Sequence, residues 1–276
     1  MTYSDENKSN SWALVTGSSG GIGLAFAEEL AKKKKSIILV ARNENRLVEL
    51  SKKISQQYGV ATKTVAADLS SLEGVNHLIS ETKELKVNLL INNAGKEESG
   101  SFLTLPPAEM LSSIALNCSA PLLLTHHLAN KMASQGGGQI LFISSIVAFQ
   151  GVPLIANYAA TKSYLLTFAE GIALELESQG VKISIAAPGF TKTNLAPHQN
   201  FESTPFKPLD AEFVAHYTLN KLGKRRLIIP GFINKVLFYL GKYLQSRRKN
   251  SQAFGKVFRL VLRDELAITD TAKVEQ

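Results

Sequence analysis

Tyr158 and Lys162 stand at the ends of a Tyr-Ala-Ala-Thr-Lys run, with Ser145 upstream. On a helix, positions i and i+4 project from one face, so the phenol and the ammonium would lie side by side. A free phenol titrates near ~10, and a neighbouring ammonium favours the phenolate and lowers that value. Such a pair can give or take a proton near neutral pH, which is general acid/base work. The Ser145 hydroxyl would hold and polarise a carbonyl oxygen at the same point. Tyr and Lys meet at this spacing often by chance, so the surrounding elements must decide whether a site is built.

Those elements begin with an apolar run at 11–16 that reads as a buried strand. Gly17-Ser18-Ser19-Gly20-Gly21-Ile22-Gly23 follows, then a helical pattern at 24–31. A strand, a glycine turn and a helix form a phosphate cradle: the backbone can approach a pyrophosphate and the helix start offers free N–H groups. The alternation continues. Strands are expected at 36–41, 61–67, 87–91, 139–143 and 181–186, and helices at 45–57, 72–83, 107–133 and 157–178. Pro121 should kink the 107–133 helix, with Asn117 just before the kink. This order predicts an α/β fold: one doubly wound parallel sheet, Rossmann-like, with helices on both faces. Ligands bind such sheets beyond the carboxyl ends of the strands. Ser145, Asp68-Leu69, Asn93-Ala94-Gly95 and Pro188-Gly189 all stand at such ends.

The second strand ends Val40-Ala41-Arg42-Asn43, without the acid that would bond a ribose 2′-hydroxyl. Arg42 matches a 2′-phosphate instead, or it caps a surface loop. The expectation is therefore NADP(H) over NAD(H), with Ser18 as a second phosphate contact. Asp68 either caps the helix after it or bonds an adenine amino group. Asn92 and Asn93 could tie strand ends together and line the cleft.

With 276 residues, 45% hydrophobic and 20% charged, the chain can bury a sizeable core. One cysteine, Cys118, rules out an internal disulfide and suits a reducing compartment such as the cytoplasm. Without a spaced ligand set, no metal site is expected. Residues 1–10 read as a flexible, polar N-terminus without a signal-peptide core, and no uninterrupted apolar run looks long enough to span a bilayer. The net charge of +8 is read mainly as a solvated surface; no groove-reading motif supports a nucleic-acid partner.

Taken together, Thr16-Gly17, Gly21-Ile22-Gly23, Asp68, Asn92-Asn93-Ala94-Gly95, Asn117, Ser145, Tyr158, Lys162 and Pro188-Gly189 resemble the short-chain dehydrogenase/reductase family over residues 10 to 230. The resemblance implies hydride transfer between a nicotinamide cofactor and a carbonyl/hydroxyl pair. It implies Tyr158 as acid/base, Lys162 as its electrostatic partner and holder of the nicotinamide ribose, and Ser145 on the substrate oxygen. Asn117 would position a relay water. Gly17, Ser18, Ser19, Gly21, Ile22 and Gly23 would cradle the pyrophosphate side, Arg42, Asp68 and Leu69 the adenosine side, and Asn93, Ala94, Gly95, Pro188, Gly189 and Thr191 the remainder. Pairing of subunits through the 157–178 helix, as a dimer or tetramer, is implied as well.

A proline-rich stretch at about 191–210, with Pro197, Pro205 and Pro208, falls where that family carries its substrate lid. Phe149, Val152, Phe190 and Phe206 either line an apolar pocket for a steroid-like, fatty-acyl or long-chain substrate, or are ordinary core. Residues 11–230 read as one catalytic domain, and 231–276 as a basic amphipathic extension. That extension could lie on a membrane, cover the pocket or meet another subunit. A catalytically silent cofactor sensor on the same fold is the rival function.

Overall fold

The computed structural model describes residues 11–193, 195, 199–201, 204 and 206–263. The expected flexible N-terminus, the end of the extension, and Pro197 and Pro205 of the expected lid lie outside the described residues. In order, the elements are β1 Trp12–Thr16, α1 Gly21–Lys32, β2 Ser36–Ala41, α2 Glu44–Tyr58, β3 Thr62–Ala66, α3 Leu72–Glu81 and β4 Val87–Asn92. Then come α4 Pro107–Ile114, α5 Ala120–Ser134, β5 Gly138–Ile143, α6 Ala156–Leu176, β6 Val181–Ala186, α7 Ala211–Leu219, β7 Leu227–Ile228, α8 Phe232–Tyr243 and α9 Arg247–Val261. The strands form one parallel sheet ordered β3-β2-β1-β4-β5-β6-β7. Strand order reverses between β1 and β4, and that crevice is where a parallel sheet takes its ligand.

Each sheet face carries its own core. Leu14, Ile38, Leu90, Ile140 and Ile185 point to the side covered by α3, α5 and α6. Ala13, Val15, Ile37, Leu39 and Leu141 point to the side covered by α1, α2 and α7. The central strands are therefore largely apolar, as a sheet buried on both faces requires, with polar residues such as Asn88, Asn92 and Gln139 near their ends.

Residues 107–134 form one continuous helical run, as expected, but its irregularity is a π-turn at Ala115–Ser119 between α4 and α5, where the Ala120 N–H returns to the Ala115 carbonyl. Pro121 sits in the first turn of α5, where its missing N–H costs least. In α-helical register that N–H would have met the Asn117 carbonyl, so proline and wide turn agree. This run, Pro107–Ser134, does have the length and apolarity of a membrane span, contrary to expectation. Its Leu124, Leu128, Ala129 and Met132 pack into the core beneath the sheet.

The extension after residue 230 packs onto the catalytic body. Phe238 of α8 lies 4.5 Å from Phe149, ring to ring. Phe258 of α9, with Leu262 just beyond it, joins Ile146, Val147, Val152, Ile155 and Tyr158 in one buried cluster. The extension thus contributes side chains to the cluster around Tyr158.

Candidate active site

The glycine turn is built by close approach. Gly17 has φ of +67°, and a Cβ there would sit 2.8 Å from the Ala94 Cα. A Cβ on Gly23 would overlap the Gly17 carbonyl oxygen. Asn93 locks the turn from β4, donating to the carbonyls of Thr16 at 2.9 Å and Gly17 at 3.2 Å. Thr16 Oγ1 accepts the N–H groups of both Asn93 and Ala94 at 3.0 Å. Asn92 instead turns inward to Thr125. A side chain added at Gly20 would meet only open space, and the first turn of α1 carries no acid. A bare helix start behind an open glycine turn fits a dinucleotide pyrophosphate.

Ser18 departs from expectation. Its side chain is wholly buried, and its Oγ accepts the Val40 N–H at 2.9 Å. It straps β1 to β2 and is not turned toward a phosphate. Ser19 is the part-exposed hydroxyl on that turn. Arg42 is exposed at the end of β2, close enough for its guanidinium to help hold the Asp68 carboxyl below its usual range. The larger cause of that shift is Ser70, whose N–H and hydroxyl both donate to Asp68 Oδ1, at 3.0 and 2.8 Å. The cap of α3 is Ser71, not Asp68.

The catalytic candidates converge. The Ser145 hydroxyl lies near enough to the Tyr158 phenol to favour its ionised form. Lys162 Nζ lies 5.5 Å from the Tyr158 ring centre and donates to the Ile143 carbonyl at 3.0 Å. The Ser144 hydroxyl donates to the Lys162 carbonyl at 2.8 Å, fixing α6 against the end of β5. Asn117 and Lys162 both reach Gly95: a Cβ there would be 3.3 Å from Asn117 Oδ1 and from Lys162 Nζ. Tyr158, Lys162 and Asn117 are all buried.

Two expected roles change. The Asn117 carboxamide is committed to structure: it accepts the Lys96 N–H at 2.9 Å and donates to the Lys96 carbonyl at 2.8 Å and Thr161 Oγ1 at 3.0 Å. The Tyr158 phenol is pushed up, not down. Burial is the main cause, the Glu97 and Glu98 carboxylates add to it, and the Ser145 hydroxyl opposes it. Lys162 is itself pulled down to about 8 by burial, so the ammonium is easily discharged.

Glu97 and Glu98 were not anticipated, although they follow Gly95-Lys96 in the sequence. Glu98 accepts from Ser113 and Asn157 and so joins α4 to α6. Glu97 accepts from Gln199 of the proline-rich stretch at 2.8 Å. The ends of that stretch meet where Leu209 donates to the Phe190 carbonyl at 2.8 Å and Lys192 donates to the Leu209 carbonyl at 2.9 Å. Thr191 turns its hydroxyl back to the Gly189 carbonyl. Of the expected pocket residues, Val152 packs with Tyr158. Phe190 stands among Phe201, Phe206 and Phe258 at 4.8, 6.4 and 5.5 Å. Phe149 lies against Phe238. Phe190 and Phe258 thus form an apolar wall beside Tyr158, whereas Phe149 and Phe238 pack in a separate cluster with Ala187 and Ile229. Cys118 is buried in the π-turn, its thiol pushed up to about 11, which suits packing and not nucleophilic attack.

A family model described as short chain dehydrogenase matches residues 11–203. The chain is 33% identical over 189 residues to very-long-chain 3-oxoacyl-CoA reductase-B of Danio rerio, covering 67% of this chain and 61% of that protein. It thus spans about three fifths of that relative's length. Among solved structures, a 7beta-hydroxysteroid dehydrogenase superposes with a TM-score of 0.82 at 26% identity, covering 90% of this chain and 98% of its own. A short-chain dehydrogenase from Sphingobium yanoikuyae in complex with NADPH superposes with a TM-score of 0.75 at 28% identity, covering 80% and 86%.

Proposed function

Because the chain belongs to the short-chain dehydrogenase family, we propose that it reduces the carbonyl of a hydrophobic, fatty-acyl-like substrate with NADP(H). The observation that carries this reading is the meeting of Ser145, Tyr158 and Lys162 beside an apolar wall and beyond a glycine cradle. When bound, the nicotinamide supplies the hydride that goes to the carbonyl carbon. Ser145 holds the carbonyl oxygen. Tyr158 gives its proton to that oxygen as negative charge develops on it. Lys162 stabilises the phenolate left behind and holds the cofactor's ribose. The apolar wall keeps water from the reacting atoms. The presence of the proton donor favours turnover over a silent sensor, which needs only the cradle.

The substrate class rests on Val152, Phe190 and Phe258 beside Tyr158, with Phe206 behind Phe190, and on a relative that is named for 3-oxoacyl-CoA reduction. A panel of 3-oxoacyl thioesters and bulky ketones, followed by NADPH oxidation, tests it. Burying a methylene is worth about 0.8 kcal/mol, so kcat/KM is expected to rise up to about fourfold per added methylene until the pocket is filled. Activity confined to small polar sugars would end this assignment.

The NADP preference rests on exposed Arg42 at the end of β2. Hydrogen bonds to charged groups are worth about 1.5–3 kcal/mol, so Arg42→Ala is expected to raise KM for NADPH about ten- to hundredfold. KM for NADH should stay unchanged. An equal effect on both cofactors would place Arg42 outside the 2′-phosphate site. Subunit pairing along α6 is part of the same reading, supported by the exposed apolar Tyr164 and Leu174 on that helix.

A further inference from the structure

Eight of the 31 basic residues fall between 232 and 263, a stretch with no Asp or Glu. The remaining residues hold 23 basic and 23 acidic side chains, so the whole formal charge of +8 belongs to the α8–α9 segment. On α8 an apolar face stands in solvent: Phe232, Ile233, Val236, Tyr239, Leu240 and Tyr243 are all exposed, Phe232 at 80%. At about 100° per residue these positions share roughly one third of the helix circumference. Lys235 and Lys242 run along one border of that stripe. Lys242 lies 5.4 Å from the Tyr243 ring centre and 5.5 Å from that of Phe238, whereas Lys235 lies over Tyr217. Arg247, Arg248 and Lys249 open α9 just beyond, all exposed.

We infer that α8 lies flat on an anionic lipid surface, with its apolar stripe sunk to the acyl boundary and the flanking lysines and arginines on the phosphates. The charge decides between occupants. A second copy meeting this face about a two-fold axis would bring two stretches of eight cations together with no acid to pair them. An anionic bilayer supplies both the apolar phase and the counter-charge that the stripe and its border require. On its inner side α8 places Phe238 against Phe149, which anchors the helix to the body and leaves the opposite stripe facing outward. This inference does not depend on the substrate or cofactor assignments.

The test is flotation of the whole chain with phosphatidylcholine vesicles, with and without phosphatidylserine, at low and raised salt. Each basic residue near an anionic surface contributes about 1 kcal/mol, so recovery with phosphatidylserine is expected to rise at least tenfold and to fall with salt. An Ile233→Ser, Tyr239→Ser, Tyr243→Ser variant should lose at least tenfold of that binding, with turnover of a water-soluble ketone unchanged. A Lys235→Gln, Lys242→Gln, Arg247→Gln variant keeps the apolar stripe and should lose only the phosphatidylserine preference. Equal recovery with and without phosphatidylserine for the unmodified chain overturns the inference. So does a serine variant that goes from dimer to monomer with unchanged vesicle recovery, which would make the stripe a subunit face.

Discussion

Tyr158→Phe is expected to lower kcat about a thousandfold while leaving NADPH binding intact. General acid/base catalysis is worth about 10²–10⁴-fold, and the phenol is the group placed to supply the proton. The phenol ring already packs in the cluster formed by Ile146, Val147, Val152 and Phe258, so phenylalanine keeps the packing and loses only the hydroxyl. The contact with Ser145 is lost with it, but Ser145 Oγ still accepts the Val147 N–H at 3.4 Å. Fold and cradle should therefore survive. Single-turnover NADPH oxidation measures the loss, and fluorescence titration with NADPH checks that binding is kept. A variant turning over within tenfold of the parent would show that the proton comes from elsewhere.

Lys162→Met should abolish turnover to a similar extent, and its stability should carry a pH signature. Burial lowers the Lys162 pKa from 10.5 to about 8, so the folded protein gives up this proton more readily than the unfolded chain does. Below about pH 8 both states are protonated, and the native state bears the full cost of a buried cation. Between about 8 and 10.5 the unfolded chain holds more protons, so the parent's stability rises with pH. Methionine fills similar space and has no such term. The melting temperature of the parent should therefore gain on that of the variant as pH climbs from 7 to 10, by up to about 3 kcal/mol in unfolding free energy. Parallel melting curves at all pH values would mean that Lys162 titrates as it does in water.

The strands at 36–41 and 181–186 were legible to the residue: the first is an apolar run fit for a sheet buried on both faces, and the second keeps Val181, Ile183 and Ile185 in alternation before Pro188-Gly189. The join between Tyr158, Lys162 and Ser145 was legible from spacing plus the position of strand ends. The π-turn was not: apolar periodicity looks alike in α and π register until tertiary contacts choose between them, and Pro121 marked only that something changed there. Ser18 was misassigned because composition gives a hydroxyl but not its direction, and here the bare Val40 N–H captured it. The expectation for Tyr158 counted the neighbouring ammonium and omitted both burial and two carboxylates contributed by the loop after β4. Helix α7 went unread behind the proline-rich stretch, whose turn signals obscured the apolar pattern that starts at Ala211.

The wall around Tyr158 draws Ile146, Val147 and Val152 from mid-chain but Phe258 and Leu262 from far downstream. On the ribosome, the sheet and its glycine turn can assemble while those last side chains are still in the exit tunnel. The Tyr158 phenol then stays wet until Phe258 and Leu262 emerge, and its enclosure comes after the sheet itself.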